Sequence, residues 1–305
     1  MKKLLIFVLG VIALVVVSDI AAGYMFDKYT DSHTLPGDLA PIDYMLKEAD
    51  QDVIIIGNSA IINSLMPSVI SDSTGLSVYN GGSNGQTLPF FHTMTNAILT
   101  RHTPKAIILG LQSNVLVDSG IGDRYNILTP YYGHGYSTID SCLESTSALE
   151  PYLLKSTFYR YNGIWFRILL YHLTKSKERS ADGFIAKPAG GLLPELNYAD
   201  NDGMPNAGRM AELTAILEEC RRRDIRVIVI WPPQYTVYTA GREVKAQANR
   251  LASAFSNVTI IDDSADSLFL SSPELFYDNV HLNADGALLY SKLKASQLKK
   301  INLQQ

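Results

Sequence analysis

The sequence predicts an α/β protein: a three-layer domain with a five-stranded parallel sheet and helices on both of its faces. Two observations carry this. Five short, mainly apolar runs recur along the chain, at Val53–Ile56, Leu76–Tyr79, Ala106–Leu111, Ile225–Trp231 and Val258–Ile261. Runs of this kind, rich in β-branched residues, are strands buried on both faces. Stretches with helical spacing separate them, and parallel neighbours need crossovers of about that length. Two further features add to the domain: an N-terminal transmembrane helix and a largely helical, aromatic-rich insertion.

Composition narrows the class. The chain has 305 residues, 47% of them hydrophobic and 18% charged, which describes a globular protein with a substantial core. The net charge of -4 gives no reason to expect a nucleic-acid partner. The one basic cluster, Arg221-Arg222-Arg223, ends a predicted helix, where cations suit the dipole. Cys142 and Cys220 are the only cysteines, too few for a disulfide scaffold or a cysteine metal site. They read as unpaired, partly buried thiols, and nothing in the sequence calls for a cofactor.

The N-terminus comes first in chain order. Met1-Lys2-Lys3 precedes an almost wholly apolar run from Leu4 to Val17, which Ile20 to Ala22 extend past Ser18 and Asp19. A secretory signal has this form. A membrane anchor needs about 20 residues, which Leu4 to Tyr24 just supplies. The lysines place the N-terminus in the cytoplasm, so the rest lies on the extracytoplasmic side, periplasmic or extracellular. No cysteine follows the run, which excludes a lipoprotein, and Ala21-Ala22-Gly23 is a poor cleavage site. The reading adopted is a single-pass anchor in the cytoplasmic membrane over residues 1–24. Residues 25–50 follow as a polar connector with Pro36, Gly37 and Pro41.

The domain itself covers 51–305. The strand Val53–Ile56 runs into Gly57-Asn58-Ser59, and a helix starts near Ala60 and is interrupted or restarted at Pro67. The strand Leu76–Tyr79 ends in Asn80-Gly81-Gly82-Ser83-Asn84-Gly85-Gln86-Thr87, a loop dense in residues that tolerate unusual backbone angles. A helix over about 89–100 leads to the strand Ala106–Leu111 and then Gln112-Ser113-Asn114. From about 118 to 203 the strand–helix alternation stops. This insertion is rich in aromatics, Tyr131, Tyr161 and Trp165 among them, and part of it, Thr157 to Leu173, has helical spacing. Its aromatics read chiefly as its own core, with a substrate groove as the other use. Alternation resumes with a helix from Ala207 to about Arg223, the fourth strand, a helix over about 243–255 and the fifth strand. A loop holding Asp278 and His281 then leads to a last helix from about Ala284 to Lys299.

Ligands of open parallel sheets bind at the carboxyl ends of the strands. Ser59, Gly85 and Asn114 follow the first three strands there, and Asp278 and His281 follow the fifth. Sequence-distant polar residues therefore converge on one edge. Each has an ordinary role as an alternative: N-cap for Ser59, turn for Gly85, strand-end cap for Asn114, and cap or turn for Asp278. Together they compose a nucleophile with its base. A serine hydroxyl needs a base within hydrogen-bond reach, His281 can serve, and Asp278 can orient the imidazole. The oxyanion needs donors, which the Ser59 N–H, a glycine N–H of the second loop and the Asn114 amide can supply.

Gly57-Asn58-Ser59-Ala60, the Gly85 loop, Asn114 and Asp278-x-x-His281 resemble the four sequence blocks of the SGNH/GDSL hydrolase superfamily. The match is strongest over Asp278-Asn279-Val280-His281-Leu282-Asn283-Ala284-Asp285-Gly286. It spans about residues 52–115 and 206–299. The resemblance implies a flavodoxin-like fold, Ser59 as nucleophile, His281 and Asp278 as its partners, and Gly85 and Asn114 as oxyanion donors beside the Ser59 N–H. Gly85 fits by its distance past Asn80, and Gly82 is the competing choice. Two departures stand out: Asn58 where the family has Asp, and Gln112-Ser113-Asn114-Val115 for its Gly-x-Asn-Asp. With the N-terminal apolar segment, these departures look like the membrane-anchored branch that includes teichoic acid D-alanylation and alginate O-acetylation proteins. That branch works beside a membrane-bound O-acyltransferase. The expectation is an extracytoplasmic esterase or O-acyltransferase acting on an acylated cell-envelope or exported glycan, or another acyl ester. The alternative is a non-catalytic glycan-binding or assembly subunit of the same fold.

Overall fold

A computed structural model describes residues 1–32, 35, 37–117, 123–174, 181–190, 194–199, 204–238 and 241–301. The chain forms two compact units, one of Met1–Asp43 with Tyr125–Ser176 and one of Tyr44–Arg124 with Lys177–Gln305.

In chain order the elements begin with helices α1 (Lys2–Ser32) and α2 (Ala40–Lys47). Strand β1 (Val53–Ile56) leads into α3 (Ser59–Ile62) and α4 (Pro67–Thr74). Then come β2 (Val78–Asn80), α5 (Leu88–Leu99) and β3 (Ala106–Gly110). Helices α6 (Ser137–Glu144), α7 (Glu150–Leu153), α8 (Thr157–Arg160) and α9 (Ile164–Thr174) follow. The chain continues through β4 (Asn197–Ala199), α10 (Ala207–Arg222), β5 (Arg226–Trp231) and β6 (Thr236–Tyr238). It closes with α11 (Gly241–Ala252), β7 (Val258–Asp262), α12 (Ser267–Leu270) and α13 (Ala284–Lys300).

The second unit is built on the five-stranded parallel sheet the sequence predicts, in the order β2-β1-β3-β5-β7. Ile54 stands between Tyr79 on one side and Ile107 on the other. Its strand is central and covered on both faces: no residue of Val53–Ile56 is more than 3% exposed. That explains the unbroken β-branched run, since an alternating pattern would put polar groups into one apolar layer. Val53 and Ile55 join a core with Ile61, Ile70, Ile108, Ile230 and Tyr290. Each side chain buried in this way contributes about 1.5–3 kcal/mol. Helix α4 packs with α13, and α10 packs with α5 and α11. Pro67 opens α4, so the helical stretch that begins near Ala60 restarts there as expected, with a turn between α3 and α4.

Three expectations change. A short parallel pair, β4 with β6, places a strand at 197–199, inside the stretch read as strand-free. Residues 25–50, expected as a polar connector, carry the end of α1 and all of α2. The aromatics of 118–203 divide: Tyr131 and Tyr161 are buried, whereas Tyr152, Phe158, Trp165 and Phe166 are exposed.

Within the first unit α1 is long and apolar enough to cross a membrane. Its second half is tied to α8. Asp19 accepts hydrogen bonds from Ser156 Oγ (2.9 Å), Phe158 N–H (2.8 Å) and Thr157 N–H (3.1 Å). One turn on, a Cβ at Gly23 would meet Thr157 Oγ1 at 2.7 Å. Asp27 pairs with Arg160 at 3.2 Å, and the Phe26 and Tyr161 rings stack at 4.9 Å.

Two tests follow from the packing. Alanine in place of glycine inside a helix ordinarily stabilises by about 1 kcal/mol. At Gly286 the new Cβ would stand 2.1 Å from the Leu275 carbonyl oxygen. We expect Gly286→Ala to lower stability by about 1–3 kcal/mol in urea unfolding. A stabilising change would show that α13 is not pressed against Leu275. Burial pushes the Cys220 thiol up to about 12. Iodoacetamide at neutral pH should leave Cys220 unmodified until the protein unfolds. Half-buried Cys142 should be the faster of the two, and alkylation of both at one rate in the folded protein would contradict this.

Candidate active site

Ser59 is the first residue of α3, directly after the central strand and two connecting residues. Its alternative role as an N-cap is excluded by its neighbour. Asn58 is extended (φ -93°, ψ -163°), and its Oδ1 accepts the Ala60 N–H at 3.1 Å. Asn58 therefore caps the helix, and the Ser59 hydroxyl is left for another partner. The other end of the Asn58 amide donates from Nδ2 to Gln112 Oε1 at 2.6 Å. Both side chains are buried. The loop after β1 is thus cross-linked to the loop after β3, directly beside Ser59.

The partner of Ser59 comes from the far end of the chain. Its Oγ lies 2.8 Å from His281 Nε2. The Asp278 carboxylate holds the other ring nitrogen, Nδ1, at 2.8 Å through Oδ2 and 3.0 Å through Oδ1. Asp278 does two jobs at once. Its Oδ1 also accepts the backbone N–H groups of Val280 and His281, each at 2.8 Å, which closes the turn carrying the imidazole. Burial pushes the Asp278 carboxyl up, but the His281 ring and the two N–H groups outweigh it and hold the group below the usual carboxylate range. An ionised carboxylate only accepts, so Nδ1 carries the proton and donates to it. In the neutral imidazole Nε2 is then the acceptor for the Ser59 O–H.

This loop is fixed at both ends. Tyr277 N–H donates to His281 O at 2.9 Å, and Asn279 Nδ2 donates to Glu195 O at 2.6 Å. Asn283, fully buried, caps α13 by accepting from Asp285 and Gly286 N–H. It also donates to Glu274 O at 2.6 Å.

Gly85 and Asn114 occupy the loops after β2 and β3, the two strands that flank β1. Gly85 has φ +69°, a left-handed backbone that glycine adopts without strain. The turn is held from outside. Arg124 donates to Asn84 O at 2.9 Å, and its N–H donates to Gln86 Oε1 at 3.0 Å. Thr87 Oγ1 donates to Asp123 Oδ2 at 2.8 Å. The competing glycine, Gly82, already spends its N–H on Asn80 Oδ1 at 3.2 Å. Among the described residues the N–H groups of Ser59 and Gly85 have no hydrogen-bond partner. Asn114 sits half-buried on a single turn of 3-10 helix, where Arg209 donates to its carbonyl oxygen at 3.1 Å. The structure thus joins Ser59, His281 and Asp278 by direct bonds. It brings Gly85 and Asn114 to the same edge through topology.

Sequence reading missed Gln112, Asp123 and Arg124 as supports. No local signal marks them, because each acts on a loop at least 36 positions away. The capping role of Asn283 was accessible from its place before a helical run.

No family model matches the chain, and no curated protein matches it. Solved structures resemble it. One is a lipolytic protein ascribed to the G-D-S-L family from Desulfitobacterium hafniense, at 14% identity and TM-score 0.43, covering 80% of this chain and 97% of that one. A lipase/acylhydrolase from Enterococcus faecalis has 12% identity and TM-score 0.42, with coverage of 82% and 96%. A GDSL-like lipase from Bacteroides thetaiotaomicron has 11% identity and TM-score 0.39, with coverage of 90% and 97%. At these identities and scores the reading of the site rests on the hydrogen bonds described above.

The Asn58–Gln112 bond yields a test. Asn58→Ala removes a cap and a buried amide, and should cost about 1–2 kcal/mol of stability. Combined with Gln112→Ala it should show a coupling of about 0.5–3 kcal/mol in a double-mutant cycle. Strict additivity would mean that the two amides do not act as a pair.

Proposed function

We propose that this chain is a serine acyl-ester enzyme of the SGNH/GDSL hydrolase type. The observation that carries this reading is the continuous hydrogen-bonded chain from Ser59 Oγ through His281 to Asp278. A retired site has no need to keep all three groups in mutual contact.

In this reading Ser59 Oγ attacks the carbonyl carbon of an acyl ester while His281 Nε2 takes the hydroxyl proton. Asp278 keeps the ring in the correct tautomer and stabilises the imidazolium that forms. The negative charge moves to the carbonyl oxygen, toward the N–H groups of Ser59 and Gly85 and the Asn114 amide. Collapse breaks the ester bond. The leaving alcohol takes its proton from His281, and the acyl group stays on Ser59. A second hydroxyl then gives its proton to His281 and attacks the acyl-enzyme, and Ser59 recovers its proton. Water as that acceptor gives hydrolysis, and a sugar hydroxyl gives O-acyl transfer.

We further infer that α1 is a retained anchor and that the site works outside the cytoplasmic membrane. Supporting this, α1 runs unbroken through Ala21-Ala22-Gly23. Its contacts with α8 lie on both sides of that point, at Asp19 and at Asp27. An acylated envelope or exported glycan is the proposed substrate. A membrane-bound O-acyltransferase, as in the teichoic acid and alginate systems the sequence resembles, is the proposed partner.

A fluorophosphonate probe should label the protein at Ser59 and leave Ser59→Ala unlabelled. Ser59→Ala and His281→Ala should each reduce turnover of a small acetyl ester about 10^4-fold or more, and Asp278→Asn about 10^2- to 10^4-fold. Near-normal turnover by His281→Ala would sink the assignment, and a protein that the probe leaves unlabelled would favour a non-catalytic subunit. Mass spectrometry of the Ser59 adduct, with glycans supplied as acceptors, separates transfer from hydrolysis.

A further inference from the structure

Helix α9 has two apolar faces, and only one of them is covered. Ile164 and Ile168 are buried, at 4% and 8% exposure. On the other side Trp165, Phe166, Leu169, Leu170 and Leu173 are between 47% and 75% exposed. They fall at positions i, i+1, i+4, i+5 and i+8, a single stripe along the helix. A helix apolar all round belongs in a core or against lipid, and a contiguous exposed stripe marks a contact surface.

Helix α1 identifies what covers it. From Leu4 to Asp19 an α-helix rises about 22 Å, and the hydrocarbon core is about 30 Å thick. The far boundary of the bilayer therefore falls beyond Asp19, near Tyr24. Just inside that boundary α1 is bonded to the start of α8, Asp19 to Ser156, Thr157 and Phe158, and Gly23, about one residue short of it, stands against Thr157. The three hydrogen bonds on the Asp19 carboxylate are what a charged group at that depth requires. Helix α8 is thus pinned at the membrane boundary, and α9 starts four residues after it ends, with Trp165 among its first exposed side chains. Tryptophan favours that boundary.

We propose that α9 lies in the surface of the bilayer that α1 crosses, with its exposed stripe among the headgroups and upper acyl chains. This rests on the reading of α1 as a transmembrane anchor. The surface joins a second membrane contact to the first, on a unit that carries neither Ser59 nor His281.

The full chain, reconstituted in phosphatidylcholine–phosphatidylglycerol vesicles, allows the test. It has two tryptophans, Trp165 and the buried Trp231, whose Nε1 donates to Asn249. The emission difference between wild type and Trp165→Phe isolates Trp165. Bromine near the head of the acyl chains should quench that component, and more strongly than bromine near the chain ends. Acrylamide in the water should quench it weakly. Strong acrylamide quenching without any bromolipid effect would overturn the proposal, as would shielding from both quenchers, which indicates a protein partner on the stripe. Alkaline carbonate distinguishes the two readings. A chain that stays in the pelleted vesicles while Trp165 remains unquenched by bromolipid refutes the α9 contact alone. A chain released by carbonate refutes the anchor and the contact together.

Discussion

The Asp278 carboxylate is the constraint on which the rest of the site depends. Its Oδ1 closes the backbone turn through Val280 and His281, and both of its oxygens hold the imidazole. Turn and ring are therefore set by one group. Its ionised state is stabilised by the same bonds, which ties the tautomer of His281 to the local fold. Around this the protein adds rigid supports. Asn283 caps α13 and ties it to Glu274, and Gly286 lets the first helical turn approach Leu275.

Opposite, Ser59 is presented by a central strand buried on both sides. Asn58 completes that placement. By capping α3 it relieves Ser59 of the role that serine usually takes at such a position. By bonding Gln112 it couples the Ser59 loop to the loop of Asn114. Of the departures from the sequence blocks that the chain resembles, Asn58 and Gln112 are thus partners. An aspartate at 58 could still accept the Ala60 N–H but would have no proton to donate to Gln112 Oε1.

The sheet was legible in the sequence because its signal is local: β-branched runs and helical spacing mark each element within a few residues. All five strands fall where the periodicity puts them, within two residues at their ends. The convergence of Ser59 on Asp278 and His281 was legible for a different reason, since the carboxyl edge of a parallel sheet gathers post-strand loops by topology. What stayed hidden depends on distant partners. Gln112, Asp123 and Arg124 have ordinary local contexts, and their roles exist only in the folded chain. The extent of α1 was hidden because beyond Tyr24 the chain turns polar, and Asp19 adds a charge inside the apolar run. Asp19 is satisfied by the α8 backbone, which no local pattern encodes.

The bond between Ser59 and His281 joins residues 222 positions apart. Strand pairs such as Ala106 with Arg226 are likewise remote in sequence. Closing such distances is entropically slow, and parallel sheets fold late for that reason. Ser59 is laid down early in synthesis, but its hydrogen-bond partner His281 lies near the end of the chain, just before α13, the helix that packs with α4. A chain without its last segment therefore lacks the partner of the Ser59 hydroxyl, and the bonded series Ser59–His281–Asp278 is completed only when that segment is in place.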